Sequence, residues 1–168
     1  MSTGQMLITA AAMVLLSLLI LRVGGTSLIT QESMQNSKFG VLATSLANSI
    51  MEEASMKFFD EKSVGNYVAN VNDLTPIADF GVDAGEHPDS IHTFDDFDDF
   101  HGFSRTYDDL PSAAFTLTCA VDYVDPDIGG FISANRTWHK MITVTISSPS
   151  INMQPLVFRK VFSYWKFL

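Results

Sequence analysis

The chain of 168 residues carries 19 acidic and 10 basic side chains, a formal net charge of −9. That balance excludes the basic footprint of a nucleic-acid binder, and the length suffices for one domain with a core plus one extra element. The single cysteine, Cys119, excludes an internal disulfide and reads as a small buried hydrophobe.

The first element begins almost at once. Residues 4–28, GQMLITAAAMVLLSLLILRVGGTSL, carry no charge before Arg22. No basic residue precedes Met6 and no small-x-small cut site closes the run, so a cleaved secretory signal is a poor fit. A simple membrane anchor is a second reading: residues 6–21 are apolar or small, and residues 23–29 extend the run past a bilayer width of about 20 residues. A buried core helix is a third, but a helix apolar on every face needs a larger protein around it. The fourth is a helix that sits first in a membrane and then in the core of a helical polymer.

Helical periodicity resumes beyond Gly24 and Gly25. Phe39, Leu42, Leu46, Ile50, Ala54 and Phe58 recur at steps of three and four and make one apolar stripe. Gln31, Glu32, Lys38, Asn48, Glu52, Glu53 and Lys57 fill the other face. The spacing predicts one helix, or two joined at the glycine pair, over residues 3–59, with a length of roughly 85 Å at 1.5 Å per residue. Its first half (1–25) is apolar all round; its second half (26–60) is amphipathic and must pack on something. Each glycine costs about 1 kcal/mol relative to alanine, which makes Gly24 and Gly25 a candidate hinge.

An acidic loop region follows over residues 61–112. Within it FDDFDDFHGF, residues 94–103, places Phe94, Phe97, Phe100 and Phe103 at every third position. That spacing suits a short 3₁₀ or tight helical turn. The phenyl rings are then expected to pin the segment to the sheet while Asp95, Asp96, Asp98 and Asp99 point to water. The alternative is a cation site at these four aspartates, since calcium takes six to eight oxygen ligands. His87, His92, His101, Asp108 and Asp109 lie near in sequence, but no tight zinc spacing is present.

The C-terminal part, residues 113–168, reads as an antiparallel β-meander. Residues 113–124 alternate, with Phe115, Leu117, Cys119, Val121 and Tyr123 on one face; residues 138–148 alternate with Ile142, Val144 and Ile146 opposite Thr143 and Thr145. Residues 155–167 are rich in aromatic and β-branched side chains, and the links DPDIGG and SPSINMQP carry turn chemistry. The expected fold is therefore α+β: a long N-terminal α-helix whose distal half packs on a small C-terminal antiparallel sheet.

This layout resembles the type IV pilin superfamily, which includes pseudopilins and minor pilins. The apolar helix running into an amphipathic one carries the resemblance across the chain. The segment at residues 94–103 is similar to an Asp-rich, aromatic-ended segment in pilins of the mannose-sensitive haemagglutinin group. Such proteins enter the inner membrane by the helix and are then stacked so that the same apolar surfaces line a filament core. The resemblance implies a homo-oligomer, a helical filament of identical subunits at the cell surface. It places Gln5, Met6, Leu7, Ala11, Val14, Leu15, Leu18, Leu19 and Arg22 in the assembly surface. Ala10, Ala11, Ala12 and Ser17 would allow close helix approach. Where the family has glutamate at the fifth mature position, this chain offers Thr9 if cleavage follows Gly4, or Gln5 if Met1 opens the mature chain.

No phosphate loop, G-x-S-x-G or H-E-x-x-H occurs, so no enzyme and no cofactor is expected apart from calcium at the aspartates. Asn135-Arg136-Thr137 matches an N-glycosylation triplet. Other functional readings are a minor pilin or pseudopilin of a secretion or pilus machine, and a monomeric membrane-anchored module that binds a cation or ligand. Charge is unevenly spread: residues 63–127 hold 14 acids and one base, Arg105, whereas residues 128–168 hold five bases, Arg136, Lys140, Arg159, Lys160 and Lys166, and no acid. In a head-to-tail assembly the acidic segment would meet basic residues of a neighbouring subunit; within one subunit the meander could bring the same charges together.

Overall fold

The structure, a computed structural model, describes residues 2–110, 113–129, 131–149 and 154–164. One helix, α1 (Thr3–Ser55), is followed by a loop-rich region and an antiparallel sheet of β1 (Ser104–Tyr107), β2 (Phe115–Asp125), β3 (Phe131–Ile132), β4 (His139–Ser147) and β5 (Leu156–Ser163). The α+β class read from the sequence is the class observed.

The chain divides into two compact units, 1–41 and 42–168. The helix runs unbroken through Gly24 and Gly25, with no neighbouring atom within 4 Å of where a Cβ would sit at either. The division falls after Val41, well past the glycine pair, because Ala43 is the first buried side chain of α1. In the first unit the apolar run is exposed. Its hydroxyls are satisfied by the helix itself, since Thr9 donates to the carbonyls of Gln5 and Met6, and Ser17 donates to that of Met13 at 2.8 Å. A helix that closes its own polar groups in this way can enter an apolar medium.

In the second unit the strands run in the order β1-β2-β4-β5, all antiparallel, and β3 pairs with the far end of β2. The register sets Leu117 opposite Ile146, Cys119 opposite Val144, Val121 opposite Ile142 and Tyr123 opposite Lys140. Side chains two apart share a face, so Phe115, Leu117, Cys119, Val121 and Tyr123 form the buried face with Ile142, Val144 and Ile146. The distal part of α1 packs on that sheet through Ala43, Ala47, Ile50, Met51 and Ala54, all buried. Phe58 does not belong to this stripe: it lies beyond the end of the helix and is half exposed. The strands predicted over 113–124 and 138–148 agree with β2 and β4, and β5 takes up all but the two end residues of the described part of 155–167. Trp165, Lys166 and Phe167 lie outside the described residues. Strands β1 and β3, each of four residues or fewer, show no sequence alternation long enough to read.

Candidate functional site

Two features stand out, one in each unit. The first is the surface of α1. Met6, Leu7, Val14, Leu15, Leu18, Leu19, Ile20, Leu21 and Val23 are each more than half exposed, Leu7 and Leu21 reaching 72 %. The segment is long and apolar enough to cross a membrane. Of the assembly residues named from the sequence, Gln5, Met6, Leu7, Ala11, Val14, Leu15, Leu18, Leu19 and Arg22 all lie on this exposed helix. The side chain of Gln5 accepts from the Ser2 amide at 3.3 Å and so closes the first turn.

The second feature is a buried charge cluster. The expectation that the aspartates of 94–103 face water holds only for Asp95; Asp96, Asp98 and Asp99 are buried. The rings behave as expected: Phe94, Phe97, Phe100 and Phe103 are all buried, and Phe94 meets Phe100 and Phe103 edge-on at 5.1 and 5.9 Å. What pulls the carboxylates in with them is the backbone. A 3₁₀ turn spans Asp98–Phe100. Asp96 Oδ1 accepts from the amides of Asp98 and Asp99 at 2.7 and 3.1 Å, while Asp99 Oδ2 accepts from those of Asp95 and Asp96 at 3.0 Å each. This is a reciprocal capping box, in which two side chains three apart satisfy each other's free amides. Gly102, at φ +80°, then turns the chain so that its amide donates to Cys119 and Cys119 donates to Phe103, which starts the β1–β2 pairing.

Asp98 does not share this work. Its Oδ1 lies 2.5 Å from Lys140 Nζ, which also donates to Asp60 Oδ2 at 2.8 Å and to the Phe59 carbonyl at 2.9 Å. Lys140 and Asp60 are 0 % exposed. The rings of Phe59, Phe80 and Tyr123 surround the ammonium at 4.8, 4.9 and 5.4 Å. Asp60 is held from every side: Lys62 and Thr75 donate backbone amides, and the Thr75 and Tyr123 hydroxyls add their own bonds. Burial alone would raise its pKa, but the charge of Lys140 and these bonds outweigh it, and the pKa is lowered.

The other carboxyls move the opposite way. Burial, then the charges of Asp98 and Asp99, pushes Asp96 up to about 9. Burial raises Asp98 despite the opposing charge of Lys140. Burial also raises Asp99, to about 7, with the charge of Glu86 adding to it against the bond from the Asp96 amide. Asp96 Oδ2 is a buried oxygen with no donor facing it. Cys119 is free and buried, its thiol pushed up to about 12 by desolvation, and it faces the core as the alternation of β2 requires.

The four aspartates therefore do not converge as one ligand set. Asp98 is paired with Lys140, Asp96 and Asp99 cap amides, and Asp95 is exposed. Among the described residues the three carboxylates that converge as a group are Glu86, Asp95 and Asp99, with oxygens within 4.8 Å. They could take a divalent cation only with solvent completing its shell. His101 is engaged at Nδ1 with the backbone of Val121. Lys140 is not available to a neighbouring subunit: of the five C-terminal bases, it meets the acidic segment within its own chain. Sequence reading missed Asp60 and the inward Lys140. The signal for Lys140 was present in its parity with Ile142, Val144 and Ile146. The signal for the buried turn was the three-residue spacing of Asp96 and Asp99.

Comparison of the chain with protein-family models, with curated proteins and with solved structures returns no match. What the fold defines is an α+β protein with a long N-terminal helix, apolar enough to span a membrane, whose distal part packs on an antiparallel sheet.

Proposed function

We propose that this chain is a pilin-like structural subunit that enters a membrane by its N-terminal helix and polymerises through it into an extracellular filament. The observation that carries the reading is the apolar surface of α1 from Met6 to Val23, which is exposed along its whole length. Exposed apolar surface on this scale marks a membrane or protein interface. A membrane meets that need before assembly and copies of the same helix meet it afterwards. The internally bonded hydroxyls of Thr9 and Ser17 and the small side chains Ala10, Ala11 and Ala12 suit close helix packing in an apolar setting. The buried cluster serves the fold that such a helix displays.

The test is electron microscopy of material sheared from cells that express the chain, beside cells that express Leu18→Asp. A carboxylate at that place would sit in the apolar core at a cost of several kcal/mol. Filaments from the natural chain and none from Leu18→Asp support the reading. Filaments from both remove the helix from the assembly, and filaments from neither leave the helix as a plain membrane anchor.

A further inference from the structure

We propose that Lys140 and Asp98 condense into an intramolecular amide, which joins β4 covalently to the 94–103 segment. The inference is independent of what the N-terminal helix does. Amide formation from an amine and a carboxylic acid needs contact between the two, exclusion of water, and an acid to protonate the departing oxygen. Lys140 Nζ is 2.5 Å from Asp98 Oδ1, and the two residues are 0 % and 3 % exposed. Phe59, Phe80 and Tyr123 wall the nitrogen within 5.4 Å, so it has little freedom to leave. Bulk water, which drives amides back toward acid and amine, is kept from the site.

Asp96 supplies the acid. Its Oδ1 holds the amides of Asp98 and Asp99, while its buried Oδ2 meets no donor. Its carboxyl lies within hydrogen-bonding reach of that of Asp98. Two carboxyls in such contact need a proton between them, and burial favours its place on Asp96.

Asp60, the other carboxyl on Lys140, is the wrong electrophile. Its oxygens accept from Lys62, from both donors of Thr75 and from Tyr123, which hold it as an anion with its carbon shielded by charge. Apart from the proton that Asp96 shares with it, the Asp98 carboxyl meets among the described residues only the nitrogen of Lys140. Asp60 therefore orients the amine and Asp98 receives it.

The step balances without a co-reactant. The nitrogen of Lys140 bonds to Cγ of Asp98 and one Cγ–O bond breaks. Of the three ammonium protons, one stays on the amide nitrogen and two leave with the oxygen as water. Asp96 gives its proton to the departing oxygen and regains one from the nitrogen, so Asp96 and Asp60 end as they began. The amide withdraws one positive and one negative charge from the core, leaves Asp60 to its bonds from Lys62, Thr75 and Tyr123, and stops the acidic segment from peeling away from β4.

Intact-mass spectrometry of the full chain, purified in detergent and denatured before measurement, tests this. The expected mass is one water below that of the sequence, and Lys140→Arg and Asp98→Ala restore that water. Tryptic peptides should show no cleavage after Lys140 and a branched species that joins residues 98 and 140. A natural chain at full mass overturns the proposal, whatever the variants do. So does a water deficit that persists in Lys140→Arg, or a branch that maps to Asp60.

Discussion

At position 140 a lysine stands where strand alternation calls for an apolar side chain, two pairs beyond Val121 and Ile142 and opposite Tyr123. A buried ammonium is tolerable only with its charge met, and here two carboxylates and a carbonyl meet it. Lys140→Met keeps most of the volume but removes the nitrogen that meets Asp98 and Asp60, and leaves both carboxyls buried without it. We expect it to cost about 3–5 kcal/mol, read as a lower denaturant midpoint of the 42–168 unit. Asp96 carries a second prediction. Its pKa lies near 9 when folded against the ordinary 3.8. Between these values the folded chain holds a proton that the unfolded chain releases, so this group's contribution is complete below pH 3.8 and is lost as pH rises toward 9. The melting temperature should therefore fall as pH rises through the neutral range, with Asp99 adding to the decline up to about 7. Asp96→Asn keeps the oxygen that caps Asp98 and Asp99 and replaces the acid proton by an amide donor. Its melting temperature should decline less over the same range. A profile as steep as that of the natural chain would show that Asp96 is ionised in the fold. Phenylalanine spacing made the turn at 94–103 legible, but not the fate of its carboxylates. An aspartate run reads as solvated unless its capping-box spacing is weighed against its charge, and the partner, Lys140, lies 42 residues away in the chain.

At the scale of elements, the distal helix meets the sheet with small side chains. Ala47 and Ala54 are 0 % exposed and Ala43 2 %, so three alanines at spacings of four and seven form the centre of the helix's buried face. The sequence stripe places Ile50 and Ala54 correctly in the buried face but sits one residue off over its first turns. It weighted Leu42 and Leu46, which are only partly buried, because a hydrophobic scale ranks leucine above alanine while close packing here favours the smaller residue. Ala47→Leu should overpack this contact and destabilise the unit by about 1–3 kcal/mol. Val41→Leu, on an exposed position of the same helix, should leave the unfolding midpoint unchanged within experimental error. Equal effects from the two would mean that the helix does not rest on the sheet through Ala47. Strands β2, β4 and β5 were legible because each is long enough to show its alternation or its aromatic content. The pairing of β1 depends on Gly102 and on the buried turn before it, and neither leaves a periodic trace.

For the whole molecule the decisive fact is that apolar surface is distributed in two different ways. In residues 42–168 it is gathered inward: the helix alanines, the inner face of the sheet and the four phenylalanines of 94–103 are all buried. In residues 2–41 it lies outward along the helix, with no side chain buried among these described residues. A chain built this way should separate cleanly into a part that folds for itself and a part that needs an apolar medium. Residues 26–41 carry Gln31, Glu32, Asn36 and Lys38 among few large apolar side chains, so a fragment of residues 26–168 keeps a polar lead into Ala43 and sheds the apolar run. That fragment should be soluble without detergent, elute as a monomer, show mixed helix and sheet by circular dichroism, and unfold in one cooperative transition. The full chain should require detergent or lipid, and without either it should form large particles. Because the difference comes from apolar contact, raising the salt concentration should not disperse those particles; screening acts on exposed charge pairs, which contribute at most about 1 kcal/mol each. An insoluble or unfolded fragment would mean that the core of residues 42–168 depends on the first half of the helix. A full chain that stays monomeric in plain buffer would mean that the exposed run is covered in solution, and the assembly reading would lose its foundation.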